Sequence, residues 1–118
     1  MNKIALGLGV AAMLVTGLAQ AVQTESRTAK IASCESAKPA QMVSMIKNDF
    51  LQNRLPRWAD DKKLLGTSTP VVWVQDDQIV QNGDSWQIPL KVRGTKVDRT
   101  YTVKVDCKAG DLEYSLPE

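Results

Sequence analysis

Apolar and polar positions follow three different rhythms along this chain, and each change of rhythm marks a new element. The first is a nearly unbroken apolar stretch from Ile4 to Leu18, preceded by Lys3 and closed by Ala19-Gln20-Ala21. A positive start, an apolar middle and small residues at the close make a secretory signal peptide, with the cut expected between Ala21 and Val22. A membrane span needs about 20 apolar residues, and this stretch is shorter and interrupted by Gly7, Gly9, Thr16 and Gly17. Residues 22–33 are small and polar without a period, which predicts a flexible leader. The second rhythm is helical. Met42, Val43, Ile46 and Phe50 recur at three- and four-residue spacing, predicting an amphipathic helix over about 38–54. Ser36 is its expected cap and Pro39 suits its first turn. Pro56 ends or kinks it, and residues 57–65 form another turn or two of helix before Gly66.

From Val71 the period becomes two. Trp86, Ile88, Leu90 and Val92 alternate with polar residues over 85–94, and Tyr101, Val103, Val105 and Cys107 do so over 98–107. Residues 112–116, with Leu112, Tyr114 and Leu116 on one side, predict a fourth strand at the sheet edge. Asn82-Gly83 and the run Lys108 to Asp111 supply turns. The first strand is irregular, because a turn at Asn82-Gly83 would set Asp77 opposite Ile88 and bury it. An interruption near Asp76-Asp77 avoids that cost. The pattern amounts to an α+β fold, one helix packed on a four-stranded antiparallel sheet in the helix-over-sheet manner of cystatin-like folds.

Cysteine usage adds a covalent constraint. An exported chain with two cysteines reads as one disulfide, Cys34 to Cys107, spanning 73 positions and worth about 4 kcal/mol on the loop-entropy model. Ile31-Ala32-Ser33-Cys34 looks like a lipoprotein box. It stands too far from the apolar stretch, however, and lipidating Cys34 would orphan Cys107. The domain organisation is therefore a signal peptide over 1–21, a leader over 22–33 and a single domain over 34–118.

Composition narrows the chemistry. Of 118 residues, 15 are Lys or Arg, 13 are Asp or Glu, and none is His. Without histidine the usual Ser-His-Asp and Cys-His catalytic sets cannot be built, and two cysteines cannot complete a tetrahedral zinc site. The pairs Asp60-Asp61 and Asp76-Asp77 have no EF-hand spacing, and no glycine-rich phosphate loop occurs. The expectation is no enzyme, no metal and no cofactor. Removing 1–21 leaves 97 residues and one excess positive charge, too little for a nucleic-acid surface. Lys91, Arg93, Lys96, Arg99 and Lys104 could form a basic face for an acidic protein. Arg57, Trp58, Asp60 and Asp61 have the composition of an interaction hot spot and are the candidate partner surface, unless Trp58 packs beneath the helix end.

The blocks Arg57-Trp58-Ala59-Asp60-Asp61, Val92-Arg93-Gly94 and Val105-Asp106-Cys107-Lys108-Ala109-Gly110, with Pro70-Val71 and Trp73-Val74, resemble the YebF family of small exported enterobacterial proteins. The resemblance covers about Cys34 to Tyr114. The signal peptide makes the Sec export machinery the expected first partner, and the resemblance implies passage through the periplasm, engagement of outer-membrane porins and release to the medium. The expected product is a monomer with no stable membrane anchor and no nucleic-acid partner. A more distant resemblance, to the colicin M immunity protein, implies the alternative of a periplasmic bacteriocin-binding module.

Overall fold

Met42, Ile46 and Phe50 carry the helical stripe, and all three are fully buried. In the computed structural model, which describes residues 26–118, they lie on helix α1, Pro39–Asp49, and on the turn that continues it. The expected export segment, with its expected cut between Ala21 and Val22, lies outside the described residues. Pro39 occupies the first turn as expected, but Ser36 does not cap the helix. Lys38 holds the cap position, and its backbone N–H donates to Gln41 Oε1 at 2.8 Å. The regular helix stops at Asp49, short of the expected end. Residues Phe50–Arg54 form a π turn and Leu55–Arg57 a 3-10 turn. Pro56 has no N–H to continue the α ladder, and the wider π turn brings Arg54 round onto Asp49. A second helix, α2, spans Ala59–Leu65 and ends on Gly66 in the left-handed conformation.

Among the described residues six antiparallel strands form one sheet: β1 Thr28–Lys30, β2 Val71–Val74, β3 Val80–Asn82, β4 Ser85–Arg93, β5 Asp98–Asp106 and β6 Asp111–Tyr114. Their order is β1-β6-β5-β4-β2, with β3 also paired to β4. The expected α+β architecture holds, a helix on an antiparallel sheet. Strand count rises from four to six for two reasons. The first strand is split by a 3-10 turn at Asp76–Gln78, where the sequence called for an interruption. Five residues, 75–79, stand opposite only Ile88 and Pro89, so Asp76 and Asp77 stay exposed. Pro89 fits this break. Its partner Thr102 exchanges its hydrogen bonds with Ser115 on the other side, so the side of Pro89 that lacks an N–H faces the gap.

The other new strand corrects the leader. From Ser26 onward it is structured, since Thr28–Lys30 pairs with Glu113, Leu112 and Asp111. The strand over 111–114 is therefore interior, covered by β1. The β3–β4 turn also sits one residue later than expected, with Asn82 opposite Ser85. That shift conserves parity and moves Val80 from opposite Ser85 to opposite Gln87, on the solvent face in either register, where it is exposed. Leu116 is exposed too. Ser115 pairs Thr102 and Glu118 pairs Thr100, so Leu116 and Pro117 together face Tyr101 in a bulge that breaks the alternation.

The core lies between the helices and one face of the sheet. Trp86, Ile88, Leu90, Val92, Tyr101, Val103, Val105, Cys107, Leu112 and Tyr114 supply the sheet side, all at expected parity. Cys34, just before α1, bonds Cys107 at the end of β5.

Candidate functional site

Two carboxylates sit inside this core, and neither was expected there. Asp61, in the first turn of α2, is 3% exposed; Asp49, at the end of α1, is 9% exposed. Each is held by one arginine and one tyrosine. Arg27 donates to both oxygens of Asp61, at 2.8 and 2.9 Å, and the Tyr101 hydroxyl donates to Oδ2 at 2.6 Å. Arg54 donates to Asp49 at 2.9 and 3.3 Å, joined by Asn53 at 3.0 Å and the Tyr114 hydroxyl at 2.8 Å. Two-pronged pairing of this kind is what lets a carboxylate remain ionised away from water. Burial raises the Asp49 pKa, but the hydrogen bonds from Arg54, Asn53 and Tyr114 outweigh it and hold the group below the ordinary value.

The tyrosines link the two carboxylates into one cluster. Phe50 lies 4.9 Å from Tyr101 and 6.1 Å from Tyr114, centroid to centroid, and Trp58 lies 6.0 and 5.4 Å from the same two rings. The Arg27 guanidinium stands 3.9 Å from the Trp58 ring centre, a part-buried cation–π contact added to its ion pair. Burial first, then the accepting carboxylate, pushes both phenols far above their ordinary value of 10.0. Both carboxylates are sealed and occupied, so the arrangement braces the fold and offers no general base to a substrate.

The expected partner surface is corrected by the same geometry. Trp58 is 2% exposed and Asp61 is internal, leaving only Arg57 and Asp60 in solvent. A small core needs its tryptophan, and the paired Asp61 follows Trp58 into it. The expected basic face breaks up as well. Arg93 pairs with Asp98 at 3.6 Å, Lys104 lies beside Glu113, and Arg99 shares the sheet face of Tyr101. Arg93 also approaches Trp73, 5.4 Å from its ring centre.

The staple has an asymmetric setting. Cys107 is completely buried, its sulfur 4.0 Å from the Met42 sulfur, whereas Cys34 is half-buried. Cys34 lines a groove of about 470 Å³ with Ile31, Met42 and Met45. Among the described residues no group of three or more Cys, Asp or Glu could hold a metal ion. Among them, too, no helix is long and apolar enough to cross a membrane.

Of the residues that build this cluster, sequence reasoning missed Asp49, Arg27 and the tyrosine hydroxyls. Asp49 left a signal: it stands at i+7 from Met42 and i+3 from Ile46, an acid on the apolar stripe. Arg27 left none, because its partner is 34 positions away.

Comparison with known proteins places these features in a family. Residues 27–115 match the family model described as YebF-like protein. Protein YebF of Yersinia pseudotuberculosis is 43% identical over 115 residues, covering 98% of this chain and 85% of the relative. Protein YebF of Photorhabdus laumondii is 43% identical over 115 residues, covering 97% and 92%. The colicin-M immunity protein of Escherichia coli is 31% identical over 87 residues, covering 70% of this chain and 61% of that one. A crystal structure of the E. coli colicin M immunity protein superposes with a TM-score of 0.62 at 29% identity, covering 73% of this chain and 98% of that one. In that protein a disulphide bridge is present and functionally essential.

Proposed function

This chain belongs to the YebF-like family, and from that premise we propose that it is an exported, non-enzymatic protein that passes through the periplasm to the medium. In this reading the Sec machinery delivers it, the signal peptide is cut after Ala21, and the folded product engages outer-membrane porins on its way out. The observation that carries the reading is the Cys34–Cys107 bond. A staple joining residues 73 apart, with one sulfur wholly inside the core, belongs to a chain that folds in an oxidising compartment. The signal-peptide grammar of residues 1–21 supplies the route to that compartment. Sealed carboxylates and the absence of histidine support the non-enzymatic part. Porin engagement rests on the family resemblance.

The test compares cells with and without their general porins, using cross-linking in the periplasm. The expected result is cross-linked protein–porin species in normal cells and accumulation in the periplasm when porins are missing. Equal release from both strains would remove the porin step.

The backbone likeness to the colicin M immunity protein favours one second reading, a periplasmic module that binds a bacteriocin. Expression in colicin-sensitive cells distinguishes the two. Protection against colicin M supports the second reading, and full killing leaves the first.

A further inference from the structure

The segment Ser26–Lys30 is held to the domain in an uneven way. Along its length it is a short strand whose residues alternate between exposed and half-buried. At one point it is anchored deeply, where Arg27 enters a socket made by Asp61, Tyr101 and Trp58. The socket belongs to the rest of the fold. Asp61 and Trp58 are set by α2 and the turn before it, and Tyr101 by the middle of β5. The backbone around the socket is also prepared for a strand: Tyr114 N–H donates to the Arg27 carbonyl at 2.8 Å, and β6 pairs with residues 28–30 along its outer edge. Trp58 Nε1 adds a long bond to the Ser26 carbonyl at 3.4 Å.

Where this segment is free to go is set by the staple. Cys34 is fixed to Cys107, and its N–H donates to the Cys107 carbonyl at 3.0 Å, so loosening of the chain end stops there. Residues before Ile31 can leave without breaking the staple, at the cost of uncovering the Trp58 ring and the core contact of Ala29. When they do, Asp61 is left with its side chain 4% exposed in the closed form and its cation gone. A fork-shaped, weakly hydrated cation that also stacks on tryptophan restores it; a lysine ammonium does not match that geometry. An extended backbone restores the β6 edge at the same time.

We propose that the β6 edge and the Asp61–Tyr101–Trp58 socket form a binding site for an arginine-bearing extended segment of a partner protein, with Ser26–Lys30 as its resident plug. Partner binding then requires displacement of the plug, and the plug keeps the site closed when no partner is present.

The probe is a blocked peptide Ser-Arg-Thr-Ala-Lys, offered to the mature chain bearing Arg27→Ala. The peptide should bind saturably and raise Tm. Its Ala and Lys counterparts should bind at least about tenfold more weakly, and wild-type protein should bind the Arg peptide more weakly than the variant does. Equal binding of the Arg and Ala peptides, or no binding, overturns the proposal. Should the variant fail to fold, hydrogen exchange on the wild-type chain decides. The Tyr114 amide should exchange at least about a hundredfold faster than those of Val103 and Val105, because the plug opens locally. Equal protection overturns it. A wild-type dimer formed by exchange of plugs would make a second copy the occupant and overturn the partner assignment.

Discussion

Tyr101 and Tyr114 are the chain's two tyrosines, and each donates its hydroxyl to a buried carboxylate. Ionising either would bury a phenolate and set it against Asp61 or Asp49, so both pKa values lie above the unfolded value of 10.0. A group whose folded pKa is raised contributes stability that is present below the unfolded pKa and lost as pH rises beyond it. A spectrophotometric titration should therefore show no phenolate near pH 10 in the native protein, with ionisation appearing together with unfolding at higher pH. Asp49 behaves in the opposite sense. Its pKa is lowered, so its contribution is present above the unfolded value of 3.8 and fades as pH falls through the native one. Asp49→Asn should cost about 1–3 kcal/mol at pH 7 and flatten the acid limb of a stability–pH curve measured by urea unfolding. An unchanged acid limb would remove Asp49 from the account.

Among the elements, the close approach of α2 to the β4–β5 turn places the tightest demand on a single residue. A Cβ on Gly94 would stand 2.3 Å from the Leu65 carbonyl oxygen, while one on Gly83 would meet nothing within 4 Å. Gly83 has φ 64°, so its alanine variant carries only left-handed backbone strain, about 1 kcal/mol. Gly94→Ala forces backbone apart and should cost about 1–3 kcal/mol, the larger loss of the two in thermal unfolding. Reversal of that order would contradict the packing of α2 on the turn. Elements built on period were legible in the sequence. The α1 stripe and the inner faces of β4 and β5 appear at their expected positions, because half-buried helices and strands display their period directly. What escaped depended on partners distant in sequence. Strand β1 owes its place to β6 and to Arg27, the bulge at Leu116 to Tyr101, and the π turn to the ion pair with Asp49. At Arg57 to Asp61 the packing of Trp58 beneath the helix end, the alternative weighed from the sequence, holds, while the burial of Asp61 escaped for the same reason, its partner Arg27 being distant in sequence.

At the scale of the whole molecule, the staple and the buried cluster divide the work of holding the N-terminal half on the sheet. The cluster fixes the middle of the helical layer and the plug, and the bond fixes the start of α1 to the end of β5. Replacing both cysteines by alanine should lower stability by about 4 kcal/mol or less, read by urea unfolding under otherwise equal conditions. That dependence ties folding to the compartment, which is the central claim. The most direct test is the intact mass of the protein recovered from culture medium after alkylation of free thiols under denaturing conditions. The account predicts a chain beginning at Val22, with no alkyl group added and a gain of two adducts only after reduction. A chain recovered from the cytoplasm with residues 1–21 attached and both cysteines alkylated without reduction would contradict it.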